Sequence, residues 1–167
     1  MAYLGAFMLS RWTLIAANLA IGYVCLHASY DVLLMILDHG NHVTHVDVMD
    51  GLGTILIGYG VASEEREALR ELAGHPPRTN WYWEAAIDKH CHSQGLLLLV
   101  FGLLNEMCMA CIHVPNHIID ERGIEHYLLA LASLFLLICV WVMALYSLRM
   151  LRQGKAPPHK TALAGTP

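Results

Sequence analysis

The sequence predicts an all-α fold, an integral membrane bundle of four antiparallel transmembrane helices with both termini in the cytoplasm. Three observations predict it. Of the 167 residues, 56% are hydrophobic and only 14% charged, where soluble domains run near 25% charged. Four apolar stretches recur at lengths close to the roughly 20 residues that cross a hydrocarbon core about 30 Å thick. Nine of the ten Lys and Arg residues precede the first stretch, separate the second from the third, or follow the fourth. By the positive-inside rule those segments are cytoplasmic. A chain this short holds one domain, residues 1–150, and a flexible tail, 151–167, of Pro, Gly, Ala and Thr with little to bury.

The first span covers about residues 12–37 and the second about 46–62. The second is short and carries Gly51, Gly53, Gly58 and Gly60. Small residues let spanning helices approach closely, so this helix is expected to be the most enclosed. Ser63 to Ala73 continues it as a helix into water, and Gly74, Pro76 and Pro77 stop it. Trp81, Tyr82 and Trp83 then mark the headgroup level. The third span covers about 94–113. The fourth, about 127–148, is almost purely apolar, which makes it the natural lipid- or partner-facing helix. The turns at 38–45 and 114–126 face outward, into the periplasm if the membrane is a bacterial inner membrane. No short apolar segment with a small-residue cleavage site opens the chain, so no cleaved signal is expected.

Composition excludes several functions. No basic patch with interleaved aromatics is present, which argues against nucleic acid. Four of the five cysteines fall in apolar stretches, so they form no secreted disulfide framework. Neither H-E-x-x-H nor E-x-x-H occurs, nor a G-x-S-x-G nucleophile turn.

Ligand-type residues concentrate toward the outer side. His39, His42 and His45 follow an H-x2-H-x2-H pattern in the first turn. Within the spans, Asp31 lies seven residues from Asp38, and Glu106 seven from His113, which puts both carboxyls about 10 Å below the outer surface. His27 and Asp31 share a face of span one, Asp50 and Thr54 share one of span two, and Glu106 and His113 share one of span three. Lipid cannot satisfy such groups, so the stripes are expected to face one another around a pocket. Asp31, Asp50, Glu106, His113, His39, His42 and His45 are the candidate metal ligands, for copper, iron or zinc. Met35, Met49, Met107, Cys108, Met109 and Cys111 lie nearby, and soft sulfur favours Cu(I). Packing is the commoner use of such methionines and buried cysteines. Haem b is the rival cofactor, with His27 and Met107, or His45 and His113, matched in depth. An empty pocket whose polar groups only fix helix register is the third reading.

The expected function is a small membrane subunit of a larger redox complex, contributing a metal or redox-cofactor site near the outer face. In that role it serves electron transfer or metal binding, and other subunits of the complex carry the catalysis. Its partners are the lipid bilayer and other membrane subunits. The alternatives are a structural accessory subunit without cofactor and a metal-ion transporter or delivery protein.

Overall fold

The computed structural model describes residues 11–38, 43–72, 82–113 and 124–153, and every regular element among them is helical. In chain order these are α1 (Arg11–Asp38), α2 (Val43–Glu64), α3 (Arg66–Leu72), α4 (Tyr82–His113) and α5 (Glu125–Gln153). Three helices are long and apolar enough to cross a membrane, over Trp12–Leu37, Ile87–His113 and Glu125–Arg152. The 22-residue α2 spans about 33 Å, but Asp47, Asp50 and four glycines dilute its hydropathy. The termini beyond these residues and the segments 39–42, 73–81 and 114–123 lie outside the described residues; of the expected tail 151–167, residues 151–153 are the last of α5.

The helices form a ring that is closed on three sides. α2 packs most extensively on α4, α4 on α5, and α5 on α1, whereas α1 and α2 touch little. Glycine sets the α2–α4 contact. A Cβ on Gly60 would lie 2.8 Å from the Gly95 carbonyl oxygen, and one on Gly95 would lie 2.5 Å from that of Gly60. One on Gly102 would come within 3.2 Å of the Gly53 carbonyl oxygen. The pairs 60/95 and 53/102 share one sum, so the helices run antiparallel in fixed register. α1 and α5 are also antiparallel: Asn18 meets Ser147 and Gly22 meets Met143. Inside the ring lie Cys25, Val32, Met49, Leu56, Leu98, Met109, Leu129, Leu136, Cys139 and Met143, all at or near zero exposure.

Four expectations change. α4 begins at Tyr82, twelve residues before Gln94 (94 − 82). Residues 82–93 are too charged to read as a span, but Ile87 and Cys91, one turn apart, pack into a second core with Leu14, Ile15 and Met150. Tyr82 and Trp83 are therefore helical, while Trp81 lies outside the described residues. The extension of α2 is interrupted by a turn at Glu65, after which α3 runs to Leu72. α2 is tightly paired but not enclosed, since Val48, Ile55 and Val61 are exposed. α5 is not peripheral; it packs on two neighbours and buries Leu129, Ala132, Leu136, Cys139 and Met143. Apart from Ser133, Tyr146 and Ser147 its buried side chains are apolar, so burying them between two partners costs little in hydrogen bonding.

Candidate functional site

The bare backbone at Gly53 makes room for α4. A Cβ there would stand 2.6 Å from Asn105 Nδ2 and 2.7 Å from Glu106 Oε1. With that space open, the Glu106 carboxylate accepts a hydrogen bond of 2.7 Å from the Thr54 hydroxyl. Asp50, one turn before Thr54, lies against the same Glu106 carboxyl group. Asn105 is fully buried beside them, and its amide nitrogen donates to the Met49 carbonyl at 2.9 Å. Its other amide atom, Oδ1, has no hydrogen-bond partner. Two carboxyl groups and a hydroxyl thus share one notch of the α2–α4 seam, next to buried Asn105 and its unpartnered oxygen. Thr54 is exposed and Glu106 only half-buried, so the notch opens on the flank of the bundle.

An assembly of this kind favours positive charge. Two adjacent carboxylates repel in a low-dielectric setting, and a cation or proton between them offsets both. Every neutral donor present is an oxygen, and oxygen donors suit hard cations.

The remaining expected ligands lie elsewhere. His27 Nδ1 and Asp31 Oδ2 are 3.0 Å apart on α1, with 59% and 39% of their side chains exposed. They pair with each other and do not reach Glu106. The buried stripe of α1 runs through Asn18, Cys25 and Val32, and Asp31 stands about 100° away from Val32 around the helix. His113 is exposed, and its Nδ1 bonds the Met109 carbonyl of its own helix at 3.0 Å. Met107 is 58% exposed. His39, His42 and the side chain of His45 lie outside the described residues. Among the described residues no three His, Cys, Asp or Glu side chains converge as a metal site.

A second polar centre escapes the sequence reading. Near the opposite end of the bundle, Asn18 Oδ1 accepts from Gln94 Nε2 at 2.6 Å and from the Tyr59 hydroxyl at 2.7 Å. Asn18 Nδ2 donates to the Ser147 hydroxyl at 3.1 Å and to Gln94 Oε1 at 3.4 Å. One asparagine thereby ties α1, α2, α4 and α5 together. The only sequence signal is that Asn18 and Gln94 are amides in apolar surroundings. Below it, Arg66 at the start of α3 forms an ion pair with Asp88 of α4. Gln94 and Glu106 are twelve residues apart, about 18 Å along α4. Fully buried Leu56 and Leu98 occupy the space between the two centres.

Comparison of the chain with protein families, with characterised proteins and with solved structures finds no match.

Proposed function

We propose that this chain is a subunit of a larger membrane complex and that the Asp50–Glu106 notch holds a cation. The observation that carries the reading is the pair of carboxyl groups sharing one α2–α4 notch with the Thr54 hydroxyl. Ionisable groups at membrane depth are costly, and they mark ion, proton or ligand sites far more often than chance. α2 crosses the bilayer in this reading although its own hydropathy is low, because α4 covers its glycine face. The cations at the α3, α4 and α5 ends, Arg66, Lys89, Arg149 and Arg152, then lie in the cytoplasm, and the notch faces outward.

Two features favour a complex over a lone protein. The His27–Asp31 pair and the mouth of the notch are both exposed on helix flanks, where lipid cannot satisfy them. A neighbouring subunit would cover both. The apolar layer of Leu56 and Leu98 separates the notch from the Asn18 centre, which favours a site that retains its ion over a through-route. A redox role, with copper, iron or haem added through the histidines at 39, 42 and 45, extends this reading and draws on the sequence pattern alone.

The test is elemental analysis and an absorption spectrum of protein purified from membranes without chelator. A stoichiometric hard cation with a featureless visible spectrum is expected. A Soret band or stoichiometric copper would replace the oxygen-only site with a redox centre. An empty protein that also fails to take up added Ca²⁺, Mn²⁺ or Na⁺ would leave the polar groups a purely structural role.

A further inference from the structure

A separate cluster stands at the other end of the α4–α5 seam. The Tyr146 hydroxyl and Ser93 Oγ are 2.9 Å apart. The Arg149 guanidinium lies over the Tyr146 ring, 5.3 Å from its centroid. The His90 ring meets the same tyrosine edge-on, with centroids 5.9 Å apart. Lys89, four residues before Ser93, projects from the same face of α4. Tyr146 itself is buried, so it is a fixed platform, while Lys89, Ser93 and Arg149 are exposed. Among the described residues no carboxylate forms an ion pair with Lys89 or Arg149. The nearest one in sequence, Asp88, is engaged by Arg66.

The surroundings say which anion fits. Ser93 begins a stripe on α4 that continues as half-buried Leu97 and exposed Val100. Arg149 ends a stripe on α5 that runs back through half-buried Leu145 and Ile138 to exposed Leu134. The contacts of Ser93 with Tyr146 and of Phe101 with Phe135 run the two helices antiparallel, so the stripes lie side by side. Together they make an apolar strip two helices wide that leads away from the cations along the outer edge of the seam. Cations with hydroxyl donors at the head of an apolar strip, at the end of a membrane-spanning segment, match a phosphate with acyl chains attached. A free phosphate has no use for the strip. The tyrosine face also orients the guanidinium, which lowers the entropy lost on binding.

We infer that Lys89, His90, Ser93, Tyr146 and Arg149 form a headgroup site for an anionic phospholipid on the α4–α5 seam. It is independent of the Asp50–Glu106 notch.

Native mass spectrometry of the full chain, released from nanodiscs of mixed phosphatidylglycerol and phosphatidylcholine, tests it. The wild type should retain phosphatidylglycerol in preference to phosphatidylcholine. Each of Lys89→Gln and Arg149→Gln should lower that retention about fivefold, the usual effect of one cation near a headgroup. Arg152→Gln, equally exposed but a turn away, should change it less than about twofold. All three are surface changes that leave the fold intact. Equal retention of the two lipids by the wild type would overturn the site. So would equal losses in all three variants, which would mean general surface charge. Displacement of the lipid by excess inorganic phosphate would overturn it as well, since the anion alone would then be the ligand.

Discussion

Gly95→Ala is expected to be the most damaging single methyl that can be added to this protein. The new Cβ would sit 2.5 Å from the Gly60 carbonyl oxygen and 2.6 Å from the Glu64 backbone nitrogen. Ordinary contact begins near 3.4 Å, so the α2 and α4 backbones must part by close to 1 Å. Neither neighbour is a side chain that can rotate away. Overpacking of this kind costs about 1–3 kcal/mol, against which alanine returns up to about 1 kcal/mol of helix propensity. With the full propensity gain the net loss is about 0–2 kcal/mol. Gly58→Ala on the same pair of helices is the matched control, because a Cβ there meets nothing within 4 Å. It should be neutral or stabilising by up to about 1 kcal/mol. The assay is unfolding of both variants in the same detergent micelle, followed by far-UV circular dichroism against denaturant. If Gly95→Ala proves as stable as Gly58→Ala, the glycine interlock does not set the α2–α4 spacing, and the notch at Gly53 loses its explanation.

Two further outcomes follow from the same geometry, and a third from the distribution of Lys and Arg along the sequence. Asn18→Leu leaves Tyr59 and Gln94 without their buried partner. At about 0.6 kcal/mol for an average intramembrane hydrogen bond and up to about 1.7 for the best, it should cost about 1–3 kcal/mol in the same assay; no change would mean the network is not formed in the folded protein. Asp88→Asn removes the charge of the Arg66–Asp88 pair that joins α3 to α4, so amide exchange over residues 66–72 should accelerate, while Lys89→Gln leaves it unchanged. In a Cys111→Ser background, an impermeant thiol reagent applied from outside should label Asn41→Cys and spare Arg78→Cys; the reverse pattern would invert the topology.

Long apolar stretches made α1 and α5 legible, because 26 and 28 residues of suitable hydropathy leave few alternatives. The start of α4 was not legible. Glu84, Asp88, Lys89, His90 and His92 lower its hydropathy, and only the tertiary contact of Ile87 and Cys91 with Met150 shows why it stays helical. At the notch, helical spacing alone puts Asp50 and Thr54 on one face, and these are the side chains that meet Glu106. The rotation of α1 about its own axis is not written in its spacing. It follows from which residues α5 accepts, and Gly22 and Cys25 against Met143 and Cys139 turn Asp31 outward. The Asn18 centre was illegible for a related reason. Its four side chains come from four helices, and only the inter-helix registers bring them together.

The cation at Asp50–Glu106 is tested most directly by equilibrium ion binding to four forms of the purified protein, matched for helix content. Glu106→Gln and Asp50→Asn keep the shape of the notch and remove one negative charge each. In either, affinity for the bound ion should fall at least about tenfold, the loss of roughly 1.4 kcal/mol of charge-assisted contact. Asp31→Asn, whose carboxyl is occupied by His27 on another flank, should bind as the wild type does. Equal affinity in all four forms, or a loss confined to Asp31→Asn, would contradict the assignment.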